Sequence, residues 1–175
     1  MSDAGTTDRI NGLRVLAVDD EPDILETIVD VLDGATVTCA SSYQEATALL
    51  SPSESGESAR DRYDVVVLDI MGVDGMTLLA QTADLKIPTV MLTAHAMNAE
   101  TLKESIKGGA QSYLPKEELA NLAEHVTDVL DAAEQGKSTW ERLFNRMGNF
   151  FEKAFAPGWR SDDPEFWGYY YGPVM

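Results

Sequence analysis

Hydrophobic positions along the chain alternate between two rhythms. The first is the short continuous apolar run that stops at a polar residue. Arg14-Val15-Leu16-Ala17-Val18 runs into Asp19-Asp20, Tyr63-Asp64-Val65-Val66-Val67-Leu68 into Asp69, and Ile87-Pro88-Thr89-Val90-Met91-Leu92 into Thr93. A further run, Ala110-Gln111-Ser112-Tyr113-Leu114, leads through Pro115 to Lys116, and Thr36-Val37-Thr38-Cys39-Ala40 is a weaker segment of the same kind. Runs of this length, rich in β-branched residues and bounded by turn residues, read as strands buried on both faces. If they lie parallel, Asp19, Asp20, Asp69, Thr93 and Lys116 emerge together from one edge of one sheet, where open α/β sheets carry their chemistry.

The second rhythm is helical. Pro22 suits a first helical turn with Asp20 or Glu21 near its cap, and Ile24, Leu25, Ile28, Val31 and Leu32 follow at helical spacing until Gly34. Ser42 with Glu45 has the form of a capping box, opening a helix that buries Ala46, Leu49 and Leu50. Ser51 to Arg62 is polar and reads as an enlarged surface loop. Helices are predicted around Met76 to Ala83, from Asn98 to Lys107 before Gly108-Gly109, and from near Lys116 with Leu119, Leu122, Ala123, Val126, Val129 and Leu130 inward. Alternation of this kind predicts an α/β fold, a doubly wound five-stranded parallel sheet with a C-terminal helical extension. Three regions are expected: a flexible leader over 1–11, one domain over 12–135, and a segment over 136–175.

Composition sharpens the division after Gly136. All three Trp, all five Phe and three of the six Tyr fall between Trp140 and Met175. The formal net charge of −17 lies wholly before that point, where 8 Lys and Arg face 25 Asp and Glu, against 5 and 5 afterwards. Such acidity excludes nucleic acid as a direct partner, since phosphate binding needs clustered cations. A single cysteine, Cys39, excludes an intramolecular disulfide, and no long apolar run suggests a membrane span or secretion signal. A cytoplasmic protein is expected.

In the last segment, Ser138-Thr139-Trp140-Glu141 offers another capping box for a helix over about 138–156. Trp140, Leu143, Phe144, Met147, Phe151, Ala154 and Phe155 form one stripe before Pro157-Gly158. A stripe of this size needs a cover. It packs back on the first domain, pairs with a second copy, or docks a separate partner through Trp140, Phe144, Met147, Phe151 and Phe155. Asp162 to Met175 reads as a peptide that folds against a surface.

Asp19-Asp20 after the first strand, Asp69 after the third, Thr93-Ala94 after the fourth and Ser112-Tyr113-Leu114-Pro115-Lys116 at the fifth resemble the receiver domain of two-component response regulators. The resemblance spans about Leu13 to Ala133 and carries the functional positions in order. It implies the flavodoxin-like strand order 2-1-3-4-5. It also implies phosphorylation of Asp69 by a sensor histidine kinase or histidine phosphotransfer protein, and signalling by protein contact, through a downstream protein or self-association. By the same resemblance, Mg²⁺ is held directly by Asp20, partly through water by Asp19, and by Asp69 and the Met71 backbone carbonyl.

The chemistry has its own logic. A carboxylate that attacks an anionic phosphoryl group beside other acids meets repulsion that a divalent cation removes, and Asp19 or Asp20 with Asp69 suits Mg²⁺. Thr93 and Lys116 would hold the other phosphoryl oxygens, and Ala94 leaves room for the group. The resemblance further implies that phosphorylation draws Thr93 in and turns Tyr113 inward, a Thr93/Tyr113 switch that remodels the face of the fourth and fifth helices and the fifth strand. Taken singly, Asp19 and Asp20 also suit helix-start acids, Thr93 a cap and Tyr113 a half-buried strand aromatic. Lys116 at a helix start opposes the macrodipole and calls for an anion nearby.

The chain departs from the family where Asp69-Ile70-Met71-Gly72-Val73-Asp74-Gly75 lacks Pro and is two residues shorter, and where Pro115 precedes Lys116 and Glu117 follows it. His95 is expected to be an exposed modulator. A Mg²⁺-dependent phosphatase or phosphotransferase using Asp69 as nucleophile, or an unphosphorylated scaffold, is the alternative function. No DNA-binding output segment is expected.

Overall fold

The computed structural model describes residues 4–94, 98–155 and 157–170. In chain order its elements are α1 (Ala4–Ile10), β1 (Arg14–Val18), α2 (Pro22–Val31), β2 (Thr36–Ala40), α3 (Tyr43–Leu50), α4 (Ala59–Arg62), β3 (Val65–Asp69) and α5 (Gly75–Asp84). Then come β4 (Thr89–Thr93), α6 (Ala99–Lys107), β5 (Ser112–Pro115), a 3₁₀ turn (Lys116–Asn121), α7 (Leu122–Gln135), α8 (Trp140–Ala154) and α9 (Pro164–Tyr170).

The five strands are parallel in the order β2-β1-β3-β4-β5. Every residue of β3 and β4 is buried, which explains their unbroken apolar runs. Helices pack around the sheet, α7 returning to lie beside α2 and α3 lying beside α5. Register aligns the functional ends: Val18 is level with Leu68, Asp69 with Leu92, and Thr93 with Pro115.

The shortened turn after β3 has a visible basis. Asp74 adopts the left-handed conformation at φ 52°, and Gly75 lies so close to the backbone that a Cβ there would collide with the Asp69 carbonyl oxygen. Gly75 therefore allows the turn to pass directly over the end of β3.

Several expectations are corrected. The leader is not without structure: α1 is helical, Ile10 is in the core at 3% exposure, and Arg9 pairs with Asp131 and Glu134 of α7. A single apolar anchor and a cross-element cation outweigh its polar composition. The polar Ser51 to Arg62 loop contains α4, capped by the Ser58 hydroxyl, which accepts from the Arg60 amide. Helix α7 proper starts at Leu122, because Lys116 to Asn121 tightens into a 3₁₀ turn. Glu45 reaches back to the Ser41 amide rather than to that of Ser42, although the Ser42 hydroxyl accepts from the Glu45 amide as foreseen.

The last segment folds onto the first. In α8, Trp140, Leu143, Phe144, Met147 and Phe151 are buried, as is Phe155 just after it, whereas Ala154 is exposed. The capping box at Ser138 does not close: Thr139 takes the cap position and its hydroxyl donates to the Gln111 carbonyl, preceding β5, while the Ser138 hydroxyl accepts from the Trp140 amide. The expected terminal peptide contains α9, whose Trp167 is fully buried. Helix α8 thus lies against β5, an edge strand that would otherwise present unpaired backbone.

Candidate functional site

Two carboxylates and one ammonium meet at the carboxyl edge of the sheet. Asp19 follows β1 and is fully buried, Asp69 ends β3 at 3% exposure, and Lys116 follows β5 with its side chain 12% exposed. Lys116 Nζ stands 2.9 Å from Asp19 Oδ2 and 3.3 Å from Asp69 Oδ1, with Glu21 Oε1 at 3.4 Å. The remaining oxygens have backbone donors: Asp19 Oδ1 accepts from the Glu21 amide at 2.9 Å and Asp69 Oδ2 from the Gly72 amide at 3.1 Å. Lys116 thereby meets the anion that its position at a helix start demanded.

Burial pushes the Asp19 carboxyl up from the ordinary carboxylate range, more than the Lys116 ammonium and the Glu21 amide pull it down. Burial acts in the opposite sense on Lys116, but its close polar and charge interactions with Asp19 and Asp69 outweigh it and leave the ammonium raised. Asp19 Oδ2 has the ammonium beside it yet accepts no aligned hydrogen bond among the described residues, so it keeps lone pairs for another electropositive partner.

Asp20 is exposed at the rim, and Gly72 brings it next to Asp69: a Cβ on Gly72 would collide with the Asp20 carboxylate, while the Gly72 amide already bonds Asp69. Asp19, Asp20 and Glu21 can each offer one oxygen within 4.8 Å of one another. Hard oxygen donors so arranged fit a small divalent cation.

Thr93 is 6% exposed and its hydroxyl donates to the Ala94 carbonyl at 3.1 Å. Ala94 is exposed, and the Met71 side chain, in the turn after β3, is 81% exposed. Tyr113 is fully buried on β5, beneath α8, and burial pushes its hydroxyl up to about 12, an effect that the neighbouring Thr93 hydroxyl partly offsets without an aligned hydrogen bond. His95 lies outside the described residues. Residue types alone did not single out Glu21 or Gly72. Glu21 follows the acid pair directly, and a glycine three residues past a strand-ending acid is the pattern of an amide turned back on its carboxylate.

The fold is that of a signalling domain with an acidic pocket at its carboxyl edge, and the comparisons agree. A family model for the response regulator receiver domain matches residues 15–127, so the chain belongs to that family. The chain is 34% identical over 122 residues to the two-component response regulator ORR22 of Oryza sativa subsp. indica, covering 66% of this chain and 17% of that protein. It is 32% identical over 114 residues to the transcriptional regulatory protein TcrA of Mycobacterium tuberculosis, covering 62% and 42% respectively. A response regulator receiver domain protein from Clostridium thermocellum superposes with a TM-score of 0.60 at 25% identity, over 70% of this chain and 98% of that one. The chain spans less than half the length of these curated relatives. No helix among the described residues is long and apolar enough to cross a membrane.

Proposed function

We propose that this chain is a phosphoacceptor of a phosphorelay. A carboxylate oxygen of Asp69 attacks the phosphorus of a phosphohistidine on a sensor histidine kinase or phosphotransfer protein. The P–N bond breaks, its electron pair stays on the imidazole, and Asp69 becomes an acyl phosphate. The observation that carries this reading is the buried Asp69 carboxylate beside an ammonium that also grips Asp19. Lys116 can turn from these carboxylates to a phosphoryl oxygen without leaving the pocket, and Thr93 can exchange the Ala94 carbonyl for another oxygen.

Asp20 directly, Asp19 partly through water, Asp69 and the Met71 carbonyl would hold Mg²⁺, which neutralises charge between the acids and the incoming phosphoryl group. Ala94 leaves space for that group, and Thr93 with Tyr113 reports it to the face formed by α6, β5 and α7. On this reading the chain works in the cytoplasm and through protein contact instead of nucleic acid, a reading its acidity supports. A turnover phosphatase would require a general acid or base at Asp69, whose carboxylate partners among the described residues are the Gly72 amide and the Lys116 ammonium.

Intact-mass measurement after incubation with Mg²⁺ and acetyl phosphate tests the proposal. Wild type should gain one phosphate and folded Asp69→Asn none; a folded wild type that gains nothing, or a variant that still gains one, would overturn it.

A further inference from the structure

The aromatic segment is joined to the acidic pocket through one side chain. The Tyr113 ring has Phe151 of α8 on its outer side, with centroids 6.5 Å apart, and Thr93 beside its hydroxyl. Phe151 in turn stacks on Phe155 at 5.3 Å and meets Phe144 edge-on at 5.8 Å, and Phe144 meets Trp167 of α9 at 6.0 Å. Thr93 neighbours the pocket, because its β4 register places it opposite Pro115, the residue before Lys116. A continuous packed path therefore runs from the pocket to α9.

Polar contacts fasten the edges of this cover. Lys103 of α6 reaches Asp163, just before α9, at 2.6 Å, and Arg146 of α8 reaches Asp128 of α7 at 2.7 Å. Docking is nevertheless bounded in strength. Trp159 and Trp167 bury their indole N–H groups without a hydrogen-bond partner among the described residues, and each such unmet donor works against docking. A cover held with that cost is one whose docking a modest interaction can shift.

We infer that α8 and α9 are a tethered clamp that holds Tyr113 inward against Thr93, with Phe151 as its positioning residue, so that an acyl phosphate on Asp69 and docking of the clamp reinforce each other. This rests on the phosphoacceptor reading. The sign follows from the hydroxyl chain. Thr93 now donates to the Ala94 carbonyl, and the Tyr113 hydroxyl is buried without an aligned partner among the described residues. Once Thr93 donates to an anionic phosphoryl oxygen, its own oxygen becomes the stronger acceptor for the Tyr113 hydroxyl. The inward ring is then favoured, and only the docked clamp encloses it. By reciprocity, the docked clamp stabilises the phosphoryl group to the same degree.

Acrylamide quenching of tryptophan emission reads the clamp alone, because Trp140, Trp159 and Trp167 are the three tryptophans of the chain. On the full chain with Mg²⁺ and acetyl phosphate, and phosphate uptake followed by mass, quenching should fall by about twofold or more. Tyr113→Phe should dock as wild type but lose this response. Phe151→Ala should weaken equilibrium binding of beryllofluoride with Mg²⁺ by about fivefold, the lower end of such couplings, with Phe151→Leu recovering most of it. Unchanged or increased quenching in a phosphorylated wild type would overturn the clamp while leaving the phosphoacceptor standing, as would a full response in Tyr113→Phe. Absence of phosphate on wild type would overturn both.

Discussion

His125 is the residue through which this fold should register acid. It lies on α7 at 3% exposure, its Nδ1 is 3.2 Å from the Ser112 hydroxyl, and burial lowers it to about 4, with Asp128 opposing and Arg146 reinforcing that shift. A folded-state value below the ordinary 6.5 means that the unfolded chain binds the proton more readily. The contribution of this group to stability is therefore complete above about 6.5 and is lost as the pH falls toward 4. Between pH 7 and pH 5 the loss should be about 2 kcal/mol, measured as the fall in urea unfolding free energy that His125→Gln lacks. An equal pH dependence in that variant would assign the effect elsewhere. Nothing in the pattern around His125 marks it: one polar residue on an apolar helix face is read as exposed or buried only when the neighbouring strand and α8 are in place. Lys116 is the contrary case, since a cation at a helix start already asks for an anion, and Asp19 and Asp69 supply it.

At the scale of elements, strands were more legible than ends. β1 coincides with its apolar run, because a strand buried on both faces is continuous in hydrophobicity, whereas β2, at the sheet edge and buried only at Ala40, carries the weaker run Thr36 to Ala40. α1 was missed because its seven residues carry no helical apolar repeat; its order comes from Ile10 and Arg9, both used across the molecule. This makes the helix testable as part of the core. Ile10→Ala should lower the unfolding free energy by about 2–4 kcal/mol in urea titration, as for other buried aliphatic truncations. A loss under about 0.5 kcal/mol would show that α1 is detached in solution. The capping box at Ser138 failed for a related reason: Thr139 is drawn to the Gln111 carbonyl, a partner in another element, and the helix start shifts with it.

For the whole molecule, charge is the dominant long-range term. The net −17 is carried by the first 136 residues, with cations such as Arg14 beside Asp64 already counted in it. Self-repulsion of this size disfavours the compact state. Raising KCl from about 0.1 M to about 1 M shortens the screening length from roughly 10 Å to 3 Å, so the urea midpoint should rise. A midpoint that falls would mean that attractive surface pairs dominate instead. The neutral, aromatic last segment fits the same account, since it adds no net charge to the acidic body on which it packs.

Sequence by itself determined the sheet, its parallel sense and the order in which Asp19, Asp20, Asp69, Thr93 and Lys116 reach one edge, because buried strands and strand-ending polar residues are local patterns. It also determined that the stripe from Trp140 to Phe155 must be covered, since that much apolar surface is not left in water. Which surface covers it was decided only by tertiary structure. Phe151 finds Tyr113, Thr139 finds the backbone before β5, and Lys103 finds Asp163, contacts between positions distant in the chain that no local periodicity encodes. Gly72 belongs to the same class: its value lies in the space it leaves between Asp20 and Asp69, and that space exists only once β1 and β3 lie side by side.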